Sequence, residues 1–406
     1  MSGHSSPVLS RVMRGRLCAG CGACAALAPA AVQMTLADPG HLRPVQSAPV
    51  NAEQEARIAA VCPGLGLTQR PDGREDHPLW GPIVAVRSGH ATDQAVRRNA
   101  SSGGALSAIL VHLLDTGAVD RVLQTAAAPA LPIGNTTVLS TTADDVFQAA
   151  GSRYAPSAPL AGLEEHLAGS QRLAFVGKPC DVAALRAMER FDPRVSERFP
   201  VMLSFFCAGV PSLTGVRQIL ATLDVEEKDV ASFRYRGDGW PGFATATLKD
   251  GSRRRMSYAD SWGGILSRHV QWRCRICPDG TGGFADIACA DAWEADERGY
   301  PVFEERDGMS LVVSRTGTGE RIVAAALAAG ALSAEPFDTA AIRTIQPGQT
   351  QRRQFTLPRV LALRLLGRPA PVYRGFHLTK NAAEAGLGPA IRNFLGTLRR
   401  VVSRHL

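Results

Sequence analysis

No stretch of this 406-residue chain stays apolar for the roughly 18 residues a membrane-spanning helix needs. The charged start MSGHSSPVLSRVMRGRL is followed by no apolar h-region. The expectation is a cytoplasmic protein. Nucleic-acid motifs are also missing, as are solenoid repeats and low-complexity tracts. No GxGxxG follows a strand-like run, so a Rossmann dinucleotide site is not supported. Aromatic residues make up only 6%, but 45% hydrophobic and 20% charged residues are ordinary for a soluble enzyme of two or three domains.

Acidic residues are scarce in one place. From Gln351 to Leu406 the chain has eleven Lys or Arg against one acid, Glu384. The net charge of +8 therefore resides in the tail, and residues 1–350 are close to neutral. This argues against a nucleic-acid partner. A positive tail beside a neutral body has two physical consequences to weigh: steering of an acidic electron carrier such as ferredoxin, and peripheral contact with an anionic membrane. Ile391, Phe394, Leu395, Leu398, Val401 and Val402 recur at helical spacing, which also allows plain packing on the body.

Along the chain, residues 1–68 hold four cysteines, and Gln69 to Trp80 is polar and reads as a linker. Ile83 to Val86, Leu173 to Gly177 and Val201 to Phe206 have the apolar continuity of buried strands. Ala105 to Leu114 and Val182 to Arg190 read as helices following glycine or proline loops. The fold class is α/β, an α+β body on a mixed sheet, with an N-terminal single-cluster ferredoxin-like domain and a helical basic C-terminal tail.

Nine cysteines in a reducing compartment point to metal ligation more than to disulfides. Cys18, Cys21 and Cys24 lie in RLCAGCGAC, where small residues let the backbone wrap a cluster. Bacterial ferredoxins continue with a fourth cysteine and a proline, and that cysteine serves their other cluster. Here the position is Ala28, with Pro29 retained, and Cys62-Pro63 supplies a remote replacement. Cys18, Cys21, Cys24 and Cys62 are therefore assigned to one 4Fe-4S cluster; zinc sites seldom use three cysteines this close together. Cys180, Cys207 and the pair Cys274 and Cys277 are dispersed, and their residue types alone leave a metal site and buried structural thiols both open. Cys289 has no partner at metal spacing and reads as packing.

Arg98, Asn99, Ser101, Ser102, Gly103 and Gly104 precede an apolar helix. Glycines that admit close approach, serine donors and a helix N-terminus suit a cofactor phosphate. A capped helix with a tight turn explains the same residues.

The ordered set CxxCxxC with a remote CPG, RNASSGGALSAIL, SRYAPSA, FVGKPCDVAALR, FFCAGVPS, RYRGDGWPG, CRICPDG and ADIACADAW resembles the coenzyme F420 hydrogenase/dehydrogenase beta-subunit family, from about Arg16 to Ala325. That family includes reductases of chlorophyll intermediates and subunits acting on the deazaflavin coenzyme. The resemblance implies FAD and a second 4Fe-4S cluster on Cys180, Cys207, Cys274 and Cys277. It also implies FAD contact by the Ser101 to Gly104 loop, and Lys178 as a catalytic and flavin-side residue. With the cysteine-bearing segment 1–68, it implies an FAD-binding part at 81–165 and a catalytic iron-sulfur part at 166–345, while the basic tail at 346–406 matches no motif of the family. Ala290 departs from it, since the family commonly has glycine there. The expected activity passes electrons from ferredoxin through the clusters to FAD and on to a small organic substrate. The alternatives are a deazaflavin-reducing or -oxidising subunit and a noncatalytic electron-transfer subunit. Lys178, Asp181, Asp238 and Asp291 are the general-acid candidates.

Overall fold

The computed structural model describes residues 6–293, 302 and 304–403. Helix Pro7–Arg14 opens on Ser6, whose hydroxyl accepts the Leu9 N–H at 3.0 Å, with proline in the first turn where its missing donor costs nothing. After the cysteine loop come the short helix Ala23–Leu27, an antiparallel hairpin of Val32–Ala37 and His41–Gln46, and helix Ala52–Val61. That last helix starts in a capping box of Asn51 and Gln54 and stops at Cys62-Pro63. Leu9, Val32 and Ile58 form this region's core, and Ala28, standing where a ferredoxin has a cysteine, is fully buried within it.

The body is built on one eight-stranded sheet. In chain order its strands are β1 (Ala85–Ala91), β2 (Arg121–Ala128), β3 (Leu131–Ser140), β4 (Leu173–Val176), β5 (Val201–Phe205), β6 (Ile287–Asp291), β7 (Ser310–Ser314) and β8 (Leu332–Pro336). The spatial order is β8-β1-β7-β6-β5-β4-β2-β3. The central pairs β2/β4, β4/β5 and β5/β6 are parallel, and the flanking pairs are antiparallel. β4 is buried at all four residues because helices and loops cover both faces, which is why it reads as an unbroken apolar run. Parallel strands end at one edge of the sheet, and in open α/β sheets that edge carries the ligand crevice.

Sequence expectations for the strands at residues 173 and 201 and for the helix at 105 match the structure within a few residues. The linker does not. Glu75–His77 pairs with Gly81–Ile83, Leu79 and Trp80 are buried, and the Trp80 carbonyl accepts from buried Arg315. Polar composition concealed two large apolar anchors.

The tail is part of the body. Helices Pro347–Leu365 and Leu387–Ser403 pack on each other, and Val372–Arg374 adds in parallel to Gly66–Thr68. Val360, Leu363 and Val401 share a core with Leu17, Cys18, Trp272 and Ile276. The expected apolar stripe of the last helix is divided: Val401 faces inward, while Ile391, Leu395 and Val402 are exposed. No helix among the described residues is long and apolar enough to cross a membrane.

Candidate functional site

Cys18, Cys21, Cys24 and Cys62 line one void of about 20 Å³, walled by Leu9, Ile58 and Val61. Gly20 and Gly22 sit at φ 80° and 89°, left-handed values that fold the loop back on itself. A side chain on Gly22 would also lie 2.6 Å from the Ala161 backbone nitrogen. Burial, then the charges of Cys18 and Cys62, push the Cys24 thiol up to about 12. Burial and Cys18 push Cys62 to about 11. Four sulfurs thus share one small space, where burial and neighbouring sulfurs disfavour ionisation of Cys24 and Cys62.

The second group assembles from strand ends. Cys180 lies in the first turn of helix Pro179–Met188 after β4, Cys207 follows β5, and Cys274 and Cys277 flank the end of the short helix Trp272–Arg275. The four are electrostatic neighbours. Burial, then Cys274 and more weakly Cys277, raise Cys207 to about 12, and Cys180 is raised by burial, Asp181, Cys207 and Cys274. Between the two groups lies the buried guanidinium of Arg273, which donates to the Pro63 carbonyl at 3.2 and 2.7 Å and sits over the Tyr373 ring. Among the described residues, no three Cys, His, Asp or Glu side chains gather in the manner of a single-ion site.

Beside the second group opens a cavity of about 290 Å³. Ser101, Ser102, Gly104, Lys178 and Cys207 line it, together with Tyr258, Trp262 and Trp293. Three other loop residues expected at the site lie elsewhere. Arg98 is exposed and pairs with Asp238 at 3.2 Å, while Asn99 donates to the Phe147 carbonyl at 2.7 Å. Gly103 faces strand backbone: an added Cβ would lie 2.7 Å from Ser310 N and 2.8 Å from Gly89 O. Its glycine serves packing.

Lys178 caps its helix, and Asp181 accepts its N–H at 2.9 Å. The ammonium lies 2.7 Å from the Asp181 carboxylate and donates to the Ser157 hydroxyl at 2.6 Å. Burial alone would lower its pKa, but the charge of Asp181 and the hydrogen bond to it raise it, so the ammonium stays charged.

The strongest feature that sequence reasoning missed is a buried fork. Arg236 binds Asp291 through two bonds of 2.8 Å, Trp240 donates to Asp291 at 2.8 Å, and the guanidinium lies 4.7 and 4.9 Å from the Tyr258 and Trp293 rings. Asp291 is therefore occupied as an acceptor, as Asp181 is by Lys178. Of these residues the sequence singles out Asp291 as a general-acid candidate, and the motifs RYRGDGWPG and ADIACADAW carry Arg236, Trp240 and Trp293. Cys289 is buried in the core and also borders the cavity.

Fold and site define an α/β protein with two four-cysteine groups, the second of which reaches an aromatic-lined cavity through Cys207. Two family models for the beta subunit of "Coenzyme F420 hydrogenase/dehydrogenase", one of its N-terminal and one of its C-terminal part, match residues 86–164 and 170–340 in order, and the chain belongs to that family. Its relatives include an F(420)H(2) dehydrogenase subunit of Methanosarcina mazei, 24% identical over 78% of this chain and 84% of that protein. The beta subunit of coenzyme F420 hydrogenase from Methanococcus voltae is 24% identical over 72% of this chain and 99% of its own length. A chain of the F420-reducing [NiFe] hydrogenase complex from Methanosarcina barkeri shares the fold, with TM-score 0.53 at 21% identity over 70% of this chain and 96% of that one.

Proposed function

We propose that this chain is an iron-sulfur and flavin-binding oxidoreductase subunit that exchanges electrons with a deazaflavin of the coenzyme F420 type and works with a protein partner. The observation that carries the reading is the meeting of cysteine group and cavity: Cys207 lines the same space as Ser101, Ser102, Gly104 and Lys178. The relatives' names, F420-linked dehydrogenase and hydrogenase subunits, favour the deazaflavin over the ferredoxin-fed reductase expected from the sequence.

The residues fit the groups the family implies. Cys18, Cys21, Cys24 and Cys62 would hold one 4Fe-4S cluster, and Cys180, Cys207, Cys274 and Cys277 a second. Each set is four neighbouring thiols, a donor set whose protons a metal displaces. FAD would occupy the aromatic-lined cavity. A bound flavin joins one-electron to two-electron transfer, chemistry that no side chain here supplies. The chain's own residues shape its surroundings. Lys178 keeps a fixed positive charge on the cavity wall, Arg236 and Asp291 neutralise each other behind the aromatic rings, and Phe205, Phe206 and Val210 add apolar surface to the wall.

Anaerobically purified protein is expected to carry about eight iron and about eight acid-labile sulfide, to contain FAD, and to oxidise reduced coenzyme F420 with a viologen acceptor. Zinc in place of iron, or no flavin, sinks the cofactor reading. Turnover driven by ferredoxin with no deazaflavin activity returns the chain to the reductase reading, and activity only after a second subunit is added makes it an electron-transfer component.

A further inference from the structure

The loops of the second cysteine group are held by a part of the chain beyond residue 340, where the family match ends. Gln349 Nε2 donates to the Cys207 carbonyl at 3.2 Å. Arg352 donates to the Ala208 carbonyl and, at 2.8 Å, to that of Cys274. Arg359 donates to the Arg275 carbonyl at 2.8 Å, and the Tyr373 hydroxyl to the Ile276 carbonyl at 2.9 Å. Three successive carbonyls between Cys274 and Cys277, and two successive ones after β5, each receive a donor from the tail. Helix Trp272–Arg275 is too short to satisfy its last carbonyls within itself, and buried carbonyls need partners. The clamp is itself braced: Asn393 of the last helix accepts from Arg359 at 3.2 and 2.9 Å.

We propose that the C-terminal segment is a positioning element for the second four-cysteine site, in which Arg352, Arg359 and Tyr373 fix the Cys274–Cys277 loop in its cluster-binding geometry and the two guanidinium charges set that cluster's potential. This rests on the two-cluster reading above. Groups behind the ligands orient them and tune the metal, and positive charge close to a cluster favours its more negative, reduced state. The basic character of the tail is thereby explained in part without a docking partner, since two of its arginines are directed at the loop.

The test uses the full chain, purified anaerobically, with iron and sulfide analysis and EPR-monitored redox titration. Arg352→Gln should lower the midpoint of one cluster signal and leave the other in place. Arg352→Lys, which keeps the charge, should restore most of that shift. The double variant Arg352→Gln/Tyr373→Phe should fall from about eight iron to about four, with the first cluster's signal intact. Tyr373→Phe alone, too mild to unfold the chain, should alter the line shape of the second signal. Wild-type protein with about eight iron, paired with variants unchanged in iron, line shape and both midpoints, overturns the proposal. Wild-type protein with about four iron overturns the two-cluster reading and the proposal with it.

Discussion

The Lys178 ammonium and the Asp181 carboxylate form an ion pair of 2.7 Å with both side chains buried, 8% and 1% exposed. Removing one member of such a pair strands the other's charge in the interior, which costs about 3–5 kcal/mol. Lys178→Met should therefore lower the denaturant midpoint strongly, and adding Asp181→Leu should recover most of it. Turnover should not return with stability, because the cavity has lost its fixed charge. If the double variant regains both, Lys178 serves the fold alone.

Arg236 and Asp291 make a two-bond fork, and Arg236 also stacks on Tyr258 and Trp293. Lysine cannot reproduce two parallel bonds and planar stacking. Arg236→Lys is expected to cost about 1–3 kcal/mol and to lower flavin content, measured as the flavin-to-protein absorbance ratio. Full flavin occupancy with unchanged stability would show that the fork does not shape the cavity.

Gly103 lies against strand backbone that cannot swing away. Gly103→Ala should cost about 1–3 kcal/mol through overpacking and lower the thermal midpoint. A Ser102→Ala variant should instead leave that midpoint almost unchanged while reducing flavin content. The opposite pattern would put the glycine, not the serine, in contact with the cofactor.

His41, in the N-terminal hairpin, has its Nε2 3.4 Å from the Val210 carbonyl, and burial together with the Arg43 charge holds it down to about 4, below its ordinary 6.5. The unfolded chain gains a proton below about 6.5, and the folded chain does so only near 4. The contribution is thus fully present above about 6.5 and is lost as pH falls towards 4, by on the order of 3 kcal/mol at most. His41→Gln should flatten the stability profile across that window in denaturant titrations. An equal slope in wild type and variant would assign the acid sensitivity to other groups.

What was legible in the sequence was what is local. Cys18, Cys21 and Cys24 fall within seven residues, so spacing alone marked them as a set, and β4 and β5 announced themselves as unbroken apolar runs. The charge asymmetry of the tail was also plain from counting. The second cysteine group was visible only through resemblance to a family. Its members come from the ends of β4 and β5 and from a helix far along the chain, and nothing in their own neighbourhoods records that β4 and β5 lie side by side. Arg236 and Asp291 meet for the same reason, while Arg98 and Asn99 end a helix that turns them to Asp238 and the Phe147 carbonyl, and Gly103 packs on strand backbone.

The sequence by itself determined the local features: grouped thiols, a glycine loop before a helix, apolar runs that become a buried parallel core. Only the tertiary structure decided which residues share a space, and that the basic tail clamps the loop between Cys274 and Cys277. Ligand spacing and apolar periodicity are written into short windows. The meeting of distant loops depends on strand order and on hydrogen bonds formed after the sheet has closed, which no short window contains.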